Sequence, residues 1–257
     1  MTIHAVLVEP PRPGLVLPDF PATTPLSASE AAELYAAMAT DVLEAAERSG
    51  GEVLVNYRSE ETIPDEYADG GGSDAEPDAE AAVRSLAKEA LSDPDAARFE
   101  VQVGSTPAAR AGNTVTHLLE EENADSVSIL DPRAPTVART DLDGAAMSLR
   151  RVETVLGPAP GGQLYYHGMT DPVDFRGIYD PPELSTVARR AVDAGHEIDF
   201  AGMHPVVTTG ADLATLLVVI EARVAAGSPV PEATTEALFD LDLRASADGA
   251  GRGVDRA

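Results

Sequence analysis

The chain has 257 residues, 44 acidic against 18 basic side chains, a formal net charge of −26 and no cysteine. That length suffices for one large α/β domain with its own core. The missing thiols exclude cysteine nucleophiles, cysteine-based zinc sites and disulfides, and the negative field argues against nucleic acid and anionic lipid surfaces as partners.

The start, MTIHAVLVEPPRPG, has no basic segment ahead of its short apolar run, so it does not read as a signal peptide. No apolar stretch approaches the ~20 residues of a membrane span; a cytoplasmic protein is expected. Lys88 is the single lysine. A carboxylate-rich chain with almost no lysine suggests a haloarchaeal, salt-in cytoplasm, because molar salt shortens the Debye length to about 3 Å and screens self-repulsion. A GC-rich mesophile, which also favours arginine over lysine, is the rival explanation.

In chain order, residues 4–8 (HAVLV) form a short apolar, β-branched run that predicts a buried first strand. A proline-rich loop follows over 9–25. Ser27 and Glu30 have the spacing of a capping box, and Leu34, Met38, Val42 and Ala45 recur on one helical face until Gly50-Gly51 stops the helix. Residues 52–57 (EVLVNY) predict a second strand. The stretch 59–79, acidic and with three consecutive glycines, predicts a solvated loop.

A helix over 78–91, strands over 99–103 and 126–130, and a helix over 113–123 are expected next. Residues 142–151 predict a helix, 153–156 and 163–168 strands, 184–194 a helix, 197–200 a strand and 211–226 a long helix. The Gly-, Asp- and Arg-rich segment 245–257 is expected to fray, leaving a single α/β domain over 1–244. Strands alternating with helices predict a mostly parallel central sheet with helices on both faces. In such sheets ligands bind at the carboxyl ends of the strands, here the loops after Val8, Tyr57, Leu130 and Leu156.

Four segments, 6–14 (VLVEPPRPG), 25–43 (PLSASEAAELYAAMATDVL), 127–132 (VSILDP) and 155–168 (VLGPAPGGQLYYHG), resemble in order the small prokaryotic glycosyltransferase-A-like family. That family is related to the molybdenum-cofactor and 2-phospholactate nucleotidyltransferases. The resemblance implies a Rossmann-like nucleotide-diphospho-sugar transferase fold and a nucleotide or nucleotide sugar as ligand. It places Glu9, Arg12 and Gly14 at the base and phosphates, Asp131 on a divalent metal, and Gly161, Gly162, Tyr165 and Tyr166 at the acceptor pocket. Mg²⁺ or Mn²⁺ would neutralise the departing diphosphate, and so acidic a chain would need it. The reaction implied is metal-assisted glycosyl or nucleotidyl transfer, with guanylyl transfer to a small phosphorylated acid a weaker variant. The alternative is a catalytically degenerate relative that binds a nucleotide or a protein.

The chain departs from the family where the chemistry is expected. The first loop continues as Gly14-Leu15-Val16-Leu17-Pro18 without the usual cation, Ala134 stands at the second acid after the fourth strand, and Pro160 precedes the paired glycines. No acid follows Pro205 until Asp212.

The residues themselves leave several readings open. Asp131 serves equally as a metal ligand or as an Asx-turn former before Pro132. Asp141 and Asp143 form a D-x-D that could hold metal or assist catalysis, or cap a helix. The two glycines could admit a ligand or make a hairpin turn. By strand alternation Tyr165 and Tyr166 should face opposite sides of the sheet. His167 is a candidate general base or an ordinary strand residue. Arg110, with Asn113, could touch an acceptor or phosphate or lie in a surface loop that caps the next helix. A homo-oligomer is compatible with the sequence.

Overall fold

The structure is a computed structural model that describes residues 1–68, 78–248 and 251–256. Seven strands form the central sheet: β1 (Thr2–Val8), β2 (Glu52–Tyr57), β3 (Arg98–Val101), β4 (Ser126–Leu130), β5 (Thr154–Pro158), β6 (Leu164–Met169) and β7 (Ile198–Phe200). Their spatial order is β3-β2-β1-β4-β6-β5-β7. Every neighbouring pair is parallel except those of β6, which runs antiparallel to both β4 and β5. The mostly parallel α/β sheet expected from the sequence is present, with an inserted antiparallel strand.

The helices are α1 (Phe20–Thr23), α2 (Ala28–Glu47), α3 (Asp65–Ala68), α4 (Ala79–Ala90), α5 (Pro107–Thr116), α6 (Arg139–Ser148), α7 (Glu183–Asp193), α8 (Gly210–Ala225) and α9 (Glu232–Asp240). The continuous apolar character of β1 is explained by burial on both faces. Val6 and Val8 pack with residues of α2, α4 and α6, while Ile3 and Ala5 pack with residues of α5 and α7 on the other side. Helix α2 begins at the predicted box: Glu30 N–H donates to Ser27 Oγ (3.2 Å) and Ser27 N–H donates to Glu30 Oε2 (2.8 Å).

Three departures from the sequence reading matter. Helix α5 starts at Pro107 rather than at 113, because Thr106 Oγ1 accepts the Ala109 N–H (3.1 Å) and Pro107 supplies a first-turn residue that needs no donor. Within 59–79, residues Glu60–Thr62 form a 3₁₀ turn and Asp65–Ala68 the short α3, with Ile63 buried between them. Residues 69–77 lie outside the described residues.

The segment expected to fray instead contributes to a hairpin of β8 (Leu243–Asp248) and β9 (Gly251–Arg256). Val254 is buried in an outer core with Leu34 and Met38 of α2, Leu213 and Leu217 of α8 and Leu238 of α9. Polar composition concealed this because the anchoring side chains are few. Arg256 completes the closure, pairing with Glu30 (2.6 Å) and donating to the Leu241 carbonyl (2.9 Å).

No helix among the described residues is long and apolar enough to cross a membrane.

Candidate functional site

A cavity of about 390 Å³ opens at the carboxyl ends of β1 and β4. Its first wall starts where β1 runs into Glu9. The Glu9 N–H donates to Tyr35 Oη of α2 (2.9 Å), and its carboxylate receives Arg58 Nη1 (3.3 Å) and Arg110 Nη2 (3.4 Å). Arg110 is buried and aimed by Gln102, whose Oε1 accepts its Nε–H (2.8 Å). Gln102 is tied in turn to the Asn56 carbonyl of β2 (2.8 Å). Burial lowers the pKa of Arg110 and Glu9 opposes that shift. The loop after Glu9 folds back over the cavity with Val16 and Leu17 buried. Leu17 holds a left-handed φ of 47°, a conformation costly for a branched side chain and common where a structure positions a ligand wall.

The second wall follows β4. Asp131 N–H donates to the Tyr165 carbonyl (2.9 Å). Its Oδ1 accepts the backbone N–H (2.8 Å) and Nε–H (2.9 Å) of Arg133, and its Oδ2 accepts Arg133 Nη2 (2.6 Å). The Asx turn weighed for Asp131 is therefore present, with a two-pronged ion pair added to it. The packed surroundings of the half-exposed Arg133 disfavour its cation, but Asp131 outweighs them and the pKa of Arg133 rises. Nearby, Glu183 opens α7 and accepts the Leu164 N–H (3.3 Å); burial first, then the charge of Asp131, raises its pKa.

The floor comes from β6. Between Gly157 and Pro158 the β5–β6 register slips: Gly157 pairs with Tyr166 and Pro158 with Leu164, leaving Tyr165 as the extra residue of a bulge. The expected alternation fails here. Both tyrosines enter the same core cluster, with ring centroids 6.4 Å apart. Tyr165 Oη donates to the Gly202 carbonyl (3.0 Å). His167 lies near Phe175, with ring centroids 5.9 Å apart. Neither of its ring nitrogens has a hydrogen-bond partner among the described residues. Burial draws its pKa down to about 3, so the imidazole is neutral at ordinary pH and holds a proton poorly.

The structure thus brings Glu9, Arg110, Asp131, Tyr165, Tyr166 and His167 to one cavity and leaves the other candidates elsewhere. Arg12 is buried and grips Glu60 through two bonds of 2.7 Å, also reaching the Tyr67 carbonyl (3.0 Å); it fastens the 3₁₀ turn and α3 rather than facing a phosphate. Gly14 makes the turn above them with φ 80°, where a Cβ would stand 3.0 Å from Tyr67 Cε1. Gly161 and Gly162, at φ 76° and 81°, make the tight turn between β5 and β6. Asp141 caps α6 through the Ala138 N–H (2.8 Å) and pairs with His204 (3.2 Å). Asp143 accepts the Gly50 N–H (2.8 Å) and pairs with Arg139 (3.0 Å). The cap is the reading that Asp141 satisfies; Asp143, inside α6, instead ties that helix to Gly50 beyond the end of α2.

Sequence reasoning missed Arg133, Glu183, Tyr35 and Tyr179, which also line the cavity. Arg133 carried a local signal, since the second residue after an Asx-turn aspartate donates back to it. The other three are brought in from distant helices and loops.

The donor set around Asp131 does not fit a divalent ion: both carboxylate oxygens are engaged by a guanidinium that an ion would have to displace. Glu9 is likewise paired with two arginines. At the outer edge of the sheet, Glu100, His117 and Glu122 offer ligand atoms within 4.8 Å of one another and could hold a metal ion. Arg98 already bridges both glutamates there.

No protein-family model and no curated protein sequence matches the chain. Solved structures do. A candidate nucleotide-diphospho-sugar transferase from Desulfovibrio desulfuricans G20 superposes with a TM-score of 0.72 at 19% identity, covering 94% of this chain and 95% of that one. A cytidylyltransferase from Leptospira borgpetersenii superposes with a TM-score of 0.50 at 11% identity, covering 93% and 94%. With its seven-stranded sheet and these neighbours, the chain has the nucleotide-diphospho-sugar transferase fold.

Proposed function

We propose that the cavity binds a nucleotide or nucleotide sugar and that the chain is a transferase-like protein of the cytoplasm. The observation carrying this reading is the convergence of Arg110 and Arg133, two of few cations in a chain of net charge −26, on one cavity at the strand ends. That end of the sheet is where α/β folds receive ligands. The flanking tyrosines offer a polar hydroxyl and an apolar face for a base or sugar. The two neighbours described above are named for nucleotide-dependent transfer, which agrees with this reading.

A binding protein without catalysis is the second reading. It is favoured by the committed pairing of Asp131 and by the weak basicity of His167, which leave no evident proton acceptor on the cavity wall among these two candidates. Thermal-shift screening of nucleoside di- and triphosphates and nucleotide sugars in molar KCl tests the shared premise. Stabilisation by one nucleotide class, abolished by Leu164→Trp in the cavity wall, is expected. If every nucleotide leaves the melting temperature unchanged, the premise fails. Turnover of the bound donor would then separate transferase from binder.

A further inference from the structure

Arg133 occupies the place where the resemblance puts a carboxylate-held metal, and its side chain is the more accessible member of the pair. It is 38% exposed against 17% for Asp131. The guanidinium is planar with donors on more than one edge. Asp131 takes Nε–H and one Nη2–H. Among the described residues the guanidinium makes no other hydrogen bond or ion pair, so Nη1 and the second Nη2–H remain. The hydroxyl of Tyr179, shielded from solvent and without a hydrogen-bond partner among the described residues, lines the same cavity.

We propose that this cavity holds a phosphate or diphosphate group directly on Arg133, without a divalent ion, and that Asp131 is a positioning residue for that arginine. The inference rests on the nucleotide reading above and names how the anion is held. Three features carry it. The carboxylates on the cavity wall are each committed to protein donors: Asp131 to Arg133, Glu9 to Arg58 and Arg110, Glu183 to the Leu164 N–H. A divalent ion placed on Asp131 would face the guanidinium at contact distance and be repelled by it. The remaining fork of Arg133 matches two oxygens of one phosphate, the geometry in which arginine recognises such groups. The Tyr179 hydroxyl, with no hydrogen-bond partner among the described residues, lines the same cavity and offers a neutral donor to the anion.

The test is titration calorimetry in molar KCl, using inorganic pyrophosphate and a panel of nucleoside diphosphates, first with EDTA and then with Mn²⁺. Wild-type affinity should be present in EDTA and change less than about twofold with Mn²⁺. Arg133→Met should weaken binding at least tenfold, and Arg133→Lys should recover part of the loss. Methylguanidinium should restore binding to Arg133→Ala but not to the Arg133→Ala, Asp131→Ala double variant, a result that a merely structural aspartate would not give. Near-ultraviolet circular dichroism checks that each variant is folded.

Binding that appears only with Mn²⁺, or that survives Arg133→Met while failing in Asp131→Asn, overturns the inference and leaves the nucleotide reading standing. Absence of binding by every probe in both conditions overturns that reading and the inference with it.

Discussion

Tyr165 and Tyr166, neighbours in sequence, lie in the same core cluster with their rings 6.4 Å apart, because the bulge opposite Gly157 cancels one step of strand alternation. A Cβ at Gly157 would fall 2.6 Å from both Tyr165 Cζ and Tyr166 Cβ. Gly157→Ala should therefore destabilise the chain by about 1–3 kcal/mol through overpacking. Gly144, inside α6 with nothing within 4 Å of its would-be Cβ, supplies the contrast: Gly144→Ala should stabilise by about 0.5–1 kcal/mol. Urea denaturation of both variants checks the pair, and equal effects of the same sign would remove the packing argument.

Acid sensitivity should set in well above the carboxylate range. Burial draws His4 down to about 4, against a smaller opposing effect of Asp143, and draws His167 down to about 3. Unfolded imidazole titrates near pH 6.5. Between about pH 6.5 and 4 the unfolded chain binds protons that the folded chain does not, so stability is complete above 6.5 and falls as the pH is lowered. Each buried histidine contributes up to about 1.4 kcal/mol per pH unit. The urea midpoint measured at pH 7 and pH 5 should drop, and His167→Phe should drop less; identical slopes would show that His167 is protonated equally in both states.

The carboxylate of Asp41 reaches across from α2 to the first turn of α9, accepting Ala233 N–H (3.1 Å), Thr234 N–H (2.7 Å) and Thr234 Oγ1–H (2.5 Å). Asp41→Ala leaves those donors with no partner in a buried setting and should cost about 2–3 kcal/mol. Amide exchange across residues 232–240 should accelerate more than exchange in β1. Uniform acceleration would mean that α9 does not open on its own.

Salt should stabilise the chain. Raising KCl from 0.1 M to 2 M shortens the Debye length from about 10 Å to under about 3 Å, which screens the mutual repulsion implied by a net charge of −26. Differential scanning calorimetry should show a rising melting temperature; an unchanged or falling one would show that the carboxylates are already balanced by the arginine pairs.

The sheet was legible where its strands are short apolar or β-branched runs, as in β1, β2 and β4, and Ser27 with Glu30 announced α2 by local chemistry alone. The site was legible where it follows strand ends, as at Glu9 and Asp131, and in the tyrosine-histidine run of β6. Arg110 sits on α5 because Thr106 and Pro107 form a helix start, a signal that the stretch of small and polar residues around them conceals. Glu183 and Tyr179 come from beyond β6, and no spacing rule connects them to Asp131. Arg12 looked like a loop cation available to a ligand; its partner Glu60 lies 48 positions away, a distance at which sequence pattern carries no information. Tyr165 failed for a different reason, since one register slip between β5 and β6 inverts a parity rule that holds elsewhere in the sheet.

The hairpin closed by Arg256 reaches, through a few contacts, the helix that borders the cavity. Arg256 holds Glu30, Glu30 starts α2, and one further turn along that helix Tyr35 receives the Glu9 N–H at the cavity. A substitution at Arg256 would therefore act first on the start of α2, the helix whose Tyr35 holds the Glu9 N–H of the loop that would meet a ligand.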